Sequence, residues 1–397
     1  MKRYLLAILS LALSLTSLAK GNEAKEYAKK AKYMYDKVYS LYRVPHHGLF
    51  SEHYPSEFKA DLTYFEGGAR QANETSYLWP YSGMCSATTI MAQLPKIGKT
   101  YKTYIDTMAI GMEMYKDTTR TPFGYQAYPA KLQLVDRYYD DNGLVGIDYV
   151  EFYMLTKNKT YLQRSKDVFR FILSGWDEVL GGGVTWLEGH RDQKPACSNG
   201  KATVLALKLY EATGDKYYLD WGKKFYGWMY SNLRDSSDFG IYWNDRKTET
   251  GIVNKTPYTY NTGTMLQAAV MLYQFTKDAS YLKEAQHLAE GSFRYFGKKQ
   301  PDGRVLVADL PWFVVVLFRG YEALYYVDGN DKYINAIIET ADYAWSNARD
   351  KHGLIYNDWN GKNDEYSSAK WLLDESCMAE LYGRIALIKS KGKVKKK

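Results

Sequence analysis

The sequence predicts an all-α protein, an (α/α)6 barrel of six helix hairpins. The first observation is an apolar pattern at offsets 0, +3, +7 and +10, which lies on one face of a helix. The pattern begins at Ala28, Ile105, Leu162, Leu219, Leu282 and Ile334. The second observation is a glycine about 20 residues after each start. The third is a more uniformly apolar helical run after each glycine.

The spacing of these patterns indicates a repeat. The second runs end in turns rich in Gly, Asn and Asp, at 156–158, 213–215, 276–278 and 327–330. A unit of roughly 50 to 60 residues is typical of repeat architectures. An open helical solenoid is the alternative, but six hairpins close a ring with amphipathic helices outside and apolar helices inside. The glycines are Gly48, Gly124, Gly183, Gly240, Gly303 and Gly353.

The two ends of the chain differ in composition from the repeats. Residues 1–19 have a basic start, an apolar run and small residues at the end, which predicts a secretory signal peptide. The apolar run is shorter than a membrane span and is interrupted by serines. We expect a catalytic barrel domain over 20–388 and a basic, disordered tail over 389–397. The protein is then secreted or periplasmic, with no stable membrane span, and monomeric.

Charge and cysteine content exclude several classes of function. The net charge of +8 comes from two basic residues in the signal segment and six lysines in the tail, so 45 basic residues balance 45 acidic ones elsewhere. A neutral body argues against nucleic acid as a partner. Cys85, Cys197 and Cys377 lack metal-ligand spacing and permit at most one disulfide. We expect no cofactor and no metal, and we interpret His46 and His47 as ordinary loop residues.

Aromatic residues are abundant, with 39 Tyr, 10 Trp and 14 Phe. Aromatic faces stack on the apolar faces of sugar rings, while their polar atoms form hydrogen bonds. Their concentration between the predicted helices indicates a polysaccharide cleft at one mouth of the barrel. The residues concerned are Trp79, Trp186, Trp243, Tyr258, Tyr260, Trp312 and Trp359.

Two adjacent aspartates, Asp140 and Asp141, stand where we expect the third inner helix to begin. One of them could be a helix N-cap, because a carboxylate accepts hydrogen bonds from free backbone amides. The catalytic alternative is that the two aspartates cleave a glycosidic bond, which needs two carboxyl groups flanking the bond. A distance of about 5 Å between the two carboxyl groups matches the retaining mechanism. Mutual repulsion would leave one group ionised and the other protonated. The residues alone leave both interpretations open.

The segment 138–142, Tyr-Tyr-Asp-Asp-Asn, resembles the signature of glycoside hydrolase family 76, the endo-α-1,6-mannanases. The resemblance extends over about residues 30–388. Two departures are Gly143-Leu144, where the family has a larger aromatic residue in many members, and the segment 189–194. Further matching stretches are 79–82, 181–186, 198–199, 209–215 and 258–263.

The resemblance implies an endo-acting hydrolase that cleaves α-1,6-mannosidic bonds in α-mannan with retention. Asp140 is then the nucleophile and Asp141 the general acid/base. Two other functions remain open: a non-catalytic glycan-binding protein, and a hydrolase or transglycosylase acting on another α-linked glycan.

Several other residues are candidates for the cleft, each with a structural alternative. Capping or packing is the alternative for every binding candidate. Asp148 is expected to be a buried supporting carboxylate, since it lies two turns beyond Asp141 on the same helix face. Glu365, Asp374 and Glu375 are expected to be solvated. The predicted substrate-binding residues are Trp79, Trp186, Asn199, Tyr260 and Asn261.

Overall fold

A computed structural model describes residues 2–57, 74–361 and 369–391, with side chains from residue 21 onward. The described chain is predominantly helical, as predicted. Its helices are α1 Lys2–Leu41, α2 Leu78–Met91, α3 Gly98–Lys102, α4 Tyr104–Met112, α5 Tyr139–Thr156, α6 Lys159–Ser174, α7 Ala196–Thr213, α8 Lys216–Asn232, α9 Thr259–Thr276, α10 Ala279–Phe296, α11 Pro311–Asp328, α12 Lys332–Asn347 and α13 Leu372–Lys391.

Six helices form a closed inner ring. In order around the ring they are α2, α5, α7, α9, α11 and α13, and α13 packs back against α2. These helices are buried on nearly all faces, whereas the outer helices alternate buried and exposed residues. Closure of the ring rules out the open solenoid and confirms the (α/α)6 barrel.

The tight hairpins pair each inner helix with the outer helix that follows it, and α13 pairs with α1. The sequence prediction paired the helices in the opposite order, outer before inner. Four connecting turns contain a residue in the left-handed region, Lys157, Gly214, Lys277 and Gly329. Because these short turns lie at the C-terminal ends of the inner helices, the longer connections all meet at the other mouth, where the inner helices begin.

The longer connections contain short strands. Strands β6, β7 and β8 form an antiparallel three-stranded sheet, and the other pairings are two-stranded. The strands are β1 Arg43–Val44, β2 Leu49–Phe50, β3 His53–Tyr54, β4 Lys116–Asp117, β5 Gly124–Tyr125, β6 Gln193–Pro195, β7 Trp243–Lys247, β8 Val253–Pro257, β9 Gly297–Lys299, β10 Val305–Val307 and β11 Lys370–Trp371.

A polar side chain near the start of four inner helices braces the strand segment after a repeat glycine. The amide of Asn142 accepts from the backbone N–H of Tyr125 at 2.8 Å and donates to its carbonyl at 2.7 Å. The other three braces bind one or both backbone groups of the corresponding segment, which fixes the mouth against the ring. They are Asn199 to Val184, Thr262 to Tyr242 and Glu375 to Ile355.

The chain ends differ from the predicted boundaries. Helix α13 continues to Lys391, three residues into the predicted tail, and Lys389 pairs with Glu23 at 3.1 Å. Residues 392–397 lie outside the described part. Cys85, Cys197 and Cys377 are free thiols. A search of the described residues finds no helix with both the length and the apolarity needed to cross a membrane.

Candidate active site

The aspartate pair lies in the first turn of α5, at the mouth where the inner helices begin. Helix α5 is the second inner helix in chain order, not the third, because α2 is the inner helix that follows the first repeat glycine. Tyr138 holds the N-cap position and no side chain caps the helix there. The interpretation of one aspartate as the cap is therefore wrong.

Asp141 is the protonated member of the pair on electrostatic grounds. Burial in the protein raises the pKa of Asp141 well above its usual range, and the neighbouring charge of Asp140 raises it further. Lys201 opposes this shift without cancelling it. A carboxylic acid that keeps its proton at neutral pH can donate it to a leaving group.

Asp140 lies against the start of the neighbouring helix α7. Its Oδ1 atom is buried and has no hydrogen-bond partner among the described residues. The Cys197 thiol is within hydrogen-bonding reach of this carboxylate. Burial is the larger cause that raises the pKa of this thiol, and the charge of Asp140 raises it further. Cys197 therefore stays a neutral thiol beside the pair. From the sequence, Cys197 was considered only for metal binding and for a disulfide.

Lys201 completes the immediate surroundings of the pair, and sequence reasoning missed it. The side chain lies one turn after Cys197 and is 7% exposed. Its Nζ atom is 5.6 Å from the ring centroid of Trp312 and 5.8 Å from that of Tyr260. The available signal was a lysine within residues 195–207, which contain no other charged residue. Charged side chains are seldom buried without a reason.

Unpartnered polar atoms occur at equivalent positions around the mouth. Each of these positions directly precedes the side chain that braces a strand segment. The residues are Asp141 on α5, Ser198 on α7, Asn261 on α9 and Asp374 on α13. The hydroxyl of Ser198, both amide atoms of Asn261 and Oδ1 of Asp374 are buried and lack a hydrogen-bond partner among the described residues. Leaving buried polar atoms unpaired costs about 1–3 kcal/mol each, so this arrangement favours a ligand rich in hydroxyl groups.

The expectation that Asp374 and Glu375 are solvated is wrong. Asp374 is 8% exposed and Glu375 is buried as a brace. Burial raises the pKa of Asp374 to about 7, against the opposing effects of the Trp312 backbone N–H and the Lys370 charge. Glu365 lies outside the described residues.

An aromatic wall lines one side of the mouth. We define it as Trp79, Tyr260, Trp312, Phe313 and Trp371. The Trp79 ring centroid lies 5.5 Å from that of Trp312 and 5.2 Å from that of Trp371, both edge-on. The Tyr260 and Phe313 centroids are 4.5 Å apart. The wall brings the predicted residues Trp79 and Tyr260 together, although they come from opposite sides of the ring.

Trp186 lies against the start of α5. Its carbonyl accepts a hydrogen bond from the Tyr139 backbone N–H at 2.9 Å, and its ring centroid is 5.0 Å from that of Tyr138. The side chain is partly exposed. Trp186 therefore fixes the start of α5 and still presents aromatic surface beside the pair.

The assignment of Asn199 to substrate binding is wrong. Its side chain is 0% exposed, accepts from the Val184 N–H at 2.7 Å and donates to the carbonyls of Val184 and Pro195, each at 2.8 Å. Both N–H groups of the amide donate to backbone carbonyls and its oxygen accepts from a backbone N–H, so this fully buried side chain has no donor left for a sugar. Asn261, in contrast, is 1% exposed and unpartnered.

These two asparagines predict opposite effects of alanine substitution. Asn199→Ala leaves the buried N–H and C=O groups of Val184 unpaired and is expected to lower the free energy of unfolding by about 3 kcal/mol. Asn261→Ala breaks no protein hydrogen bond, so stability should be retained while oligosaccharide affinity falls. Chemical denaturation and calorimetric titration measure the two quantities. Equal loss of stability in both variants would contradict the distinction.

Below the aspartate pair the ring encloses a polar interior. Asp148 accepts hydrogen bonds from Ser82 at 2.6 Å and Ser86 at 3.3 Å, and burial raises its pKa well above the usual range. This environment matches the expected supporting carboxylate. Deeper still, Glu380 accepts two hydrogen bonds from Arg319, each at 2.7 Å.

A histidine cluster lies on an exposed loop and was not predicted. His46 Nε2 lies 2.5 Å from one oxygen of Glu74, and His47 Nε2 lies 3.0 Å from the other. Because the Nε2 atom of each ring is already paired with the Glu74 carboxylate, we interpret the cluster as a group of polar contacts at the surface.

Comparison with solved structures supports the fold. A glycoside hydrolase family 76 (mannosidase) protein, Bt3792 from Bacteroides thetaiotaomicron, is 28% identical with a TM-score of 0.79, covering 92% of this chain and 99% of that one. The GH76A α-1,6-mannanase from Salegentibacter sp. HEL1_6 is 25% identical with a TM-score of 0.72, covering 91% of this chain and 99% of that one. An inactive variant of that mannanase, with two consecutive aspartates changed to alanine, binds α-1,6-mannotetrose.

Curated proteins match over a shorter region. The mannan endo-1,6-alpha-mannosidase DCW1 of Candida albicans is 28% identical over 146 residues, 35% of this chain and 32% of that protein. The chain therefore matches about a third of the length of this relative. The family description "Glycosyl hydrolase family 76" matches residues 26–377, which include the aspartate pair, Lys201 and the aromatic wall. The chain belongs to glycosyl hydrolase family 76.

Proposed function

We propose that the protein is an endo-acting glycoside hydrolase that cleaves α-1,6-mannosidic bonds in α-mannan with retention of configuration. The observation that carries the proposal is the adjacent pair Asp140 and Asp141 at the mouth of the barrel, with Asp141 held protonated by its surroundings. The α-1,6-mannanase and the mannan endo-1,6-alpha-mannosidase that the chain resembles supply the substrate class.

In the proposed mechanism, Asp140 attacks the anomeric carbon while Asp141 donates its proton to the departing glycosidic oxygen. The bond to the leaving sugar breaks and a glycosyl ester forms on Asp140. Asp141, now ionised, then removes a proton from water, which attacks the anomeric carbon and releases Asp140. Two displacements at the same carbon give net retention.

The remaining groups of the mouth have roles in binding. We assign the partly exposed faces of Trp79, Tyr260 and Trp186 to sugar stacking, because aromatic faces match the apolar faces of pyranose rings. Asn261 and Asp374 offer unpartnered atoms to sugar hydroxyls. Because these groups come from several helices around the ring, a bound chain would be contacted from both sides of the aspartate pair.

Digestion of linear and branched α-mannans tests the proposal. We expect a ladder of manno-oligosaccharides early in the reaction, and products that NMR shows to be released first as the α-anomer. Release of mannose alone would contradict endo action, and initial release of the β-anomer would contradict retention.

A non-catalytic glycan-binding protein is the competing function. It predicts binding of α-1,6-mannan without the appearance of new reducing ends. A hydrolase or transglycosylase for another α-linked glycan predicts products only from that glycan. A panel that includes α-1,4- and α-1,6-linked glucans beside α-mannan separates these functions from the proposed one.

We further propose that the protein is exported, with residues 1–19 as the signal peptide, and that it acts as a monomer. The basic start and apolar run of this segment support export. N-terminal sequencing of the mature protein tests the boundary, and light scattering tests the oligomeric state.

A further inference from the structure

One buried cation in the candidate site has no part in the proposed reaction. Lys201 is 7% exposed and forms no hydrogen bond or ion pair with the described residues. The deeper cations of the same cavity are paired, Lys208 with Glu151 at 2.7 Å and Arg319 with Glu380 at 2.7 Å. A buried charge without a counter-charge is costly. Its presence therefore calls for a role in function.

The position of Lys201 places its charge at the floor of the site. Lys201 lies two residues after the bracing Asn199. The residues at the same position on the neighbouring inner helices are Leu144 and Thr264, which are uncharged and line the same cavity. The ammonium faces Trp312 and Tyr260 of the aromatic wall. Aromatic faces stabilise a cation without neutralising its charge. The Lys201 side chain thus lies about one helical turn below the aspartate pair, with aromatic faces beside it.

Helix α5 is shaped to admit this side chain. A Cβ atom placed on Gly143 would lie 2.7 Å from the Cβ of Lys201, closer than real contacts allow. The absence of a side chain at residue 143 thus lets α5 and α7 approach where Lys201 enters the ring. Gly143 is one of the positions at which the sequence departs from the family resemblance.

We propose that Lys201 is a positioning residue, whose fixed positive charge makes the Asp140–Asp141 pair hold one proton instead of two. In a water-poor cleft, desolvation and mutual repulsion both favour protonation of carboxyl groups. A nearby cation favours the ionised form, so one carboxylate survives as a nucleophile beside a protonated acid. This inference rests on the catalytic role proposed for the pair.

No other group facing the pair supplies this charge. Cys197 on α7 and Tyr260 on α9 are held neutral, since burial raises the pKa of each well above its usual range. Asp374 on α13 is a carboxyl group and cannot supply a positive charge. The other cations that line the cavity, Lys208, Arg319 and Arg384, are already paired with carboxylates. Lys201 is therefore the counter-charge available to the pair among the described residues.

The test follows the Asp141 carboxyl directly, in full-length protein without substrate. Aspartate labelled with 13C at the carboxyl gives a resonance that the variant Asp141→Asn identifies by its loss. Lys201→Met keeps the volume and removes the charge. It should raise both titration midpoints of the pair, that of Asp141 by roughly 1 pH unit or more, so that the second proton is taken up at a higher pH. Lys201→Arg restores the charge and should return the midpoint close to the wild-type value. Lys224→Met, which removes an exposed lysine of outer helix α8, is the control.

An unchanged Asp141 midpoint in folded Lys201→Met protein overturns the proposal, and Lys201→Gln serves if the Met variant does not fold. The alkaline limb of kcat/KM on α-1,6-mannan should move upward with the midpoint in Lys201→Met and not in Lys224→Met. If the wild-type protein does not cleave this substrate, the proposed function fails, while the carboxyl titration still decides the role of Lys201.

Discussion

Replacing Asp140 with asparagine is expected to abolish hydrolysis of α-1,6-mannan. The amide cannot form the glycosyl ester, and the first displacement has no other nucleophile at that carbon. The substitution preserves shape and removes a charge from a partly exposed side chain, so the folded state should persist. Measuring new reducing ends over long incubation checks the activity, and circular dichroism checks the fold.

Asp141→Ala is the matched variant, and it should differ from Asp140→Asn in a diagnostic way. Loss of general acid catalysis costs about 10²–10⁴-fold in rate. The loss should be small for aryl mannosides whose leaving group departs without a proton, and added azide should restore turnover by attacking the glycosyl intermediate. Full activity of either variant on mannan would refute the proposed roles.

The second large effect concerns stability and arises far from the chemistry. Glu380→Gln is expected to lower the free energy of unfolding by about 3–5 kcal/mol, because it leaves the largely buried Arg319 without a counter-charge and Arg384 with that of Glu322 alone. Glu380 is fully buried, binds Arg319 through both oxygens and accepts from Arg384 Nε at 2.7 Å. Urea denaturation at neutral pH measures the loss.

A surface ion pair provides the control. Glu290 and Lys332 are 2.8 Å apart, with roughly half of each side chain exposed. Glu290→Gln should therefore change the free energy of unfolding by no more than about 1 kcal/mol. A comparable loss of stability in both variants would show that burial of Glu380 does not increase its contribution to the free energy of unfolding.

The Glu380 effect should also depend on pH with a defined sign. The charges of Arg319 and Arg384 lower the pKa of Glu380 to about 2 despite its burial. A group with a depressed pKa stabilises the fold above its unfolded pKa of about 4.3 and loses that contribution as pH falls towards the folded value. The stability difference between wild type and Glu380→Gln should accordingly narrow between about pH 4.5 and 2. A constant difference over this window would contradict the assignment.

The architecture was accessible from the sequence because it rests on local periodicity. The six apolar patterns coincide with the outer helices α1, α4, α6, α8, α10 and α12, and the runs after the glycines coincide with the inner helices. The pairing order within hairpins was not accessible. Both directions of connection fit the same pattern, and only packing shows that the short turns of two or three residues make the tight hairpins.

The candidate site was accessible in part. Asp140 and Asp141 were identified because adjacent carboxyl groups are uncommon at the start of an apolar helix and match a family signature. Asn199 was misassigned because a bracing asparagine and a ligand-binding asparagine look alike in sequence. The difference depends on whether a backbone strand lies opposite the amide, as Val184 does for Asn199.

The sequence by itself determined the helical ring, its number of hairpins and the aspartate pair, since each depends on residues that are close together in the sequence. The tertiary structure decided what surrounds the pair, because Lys201, Trp312 and Asp374 come from three different inner helices. Ring closure brings these side chains to one mouth, and burial there raises the pKa of Asp374 to about 7. Desolvation depends on every neighbour in space, and no local pattern specifies it.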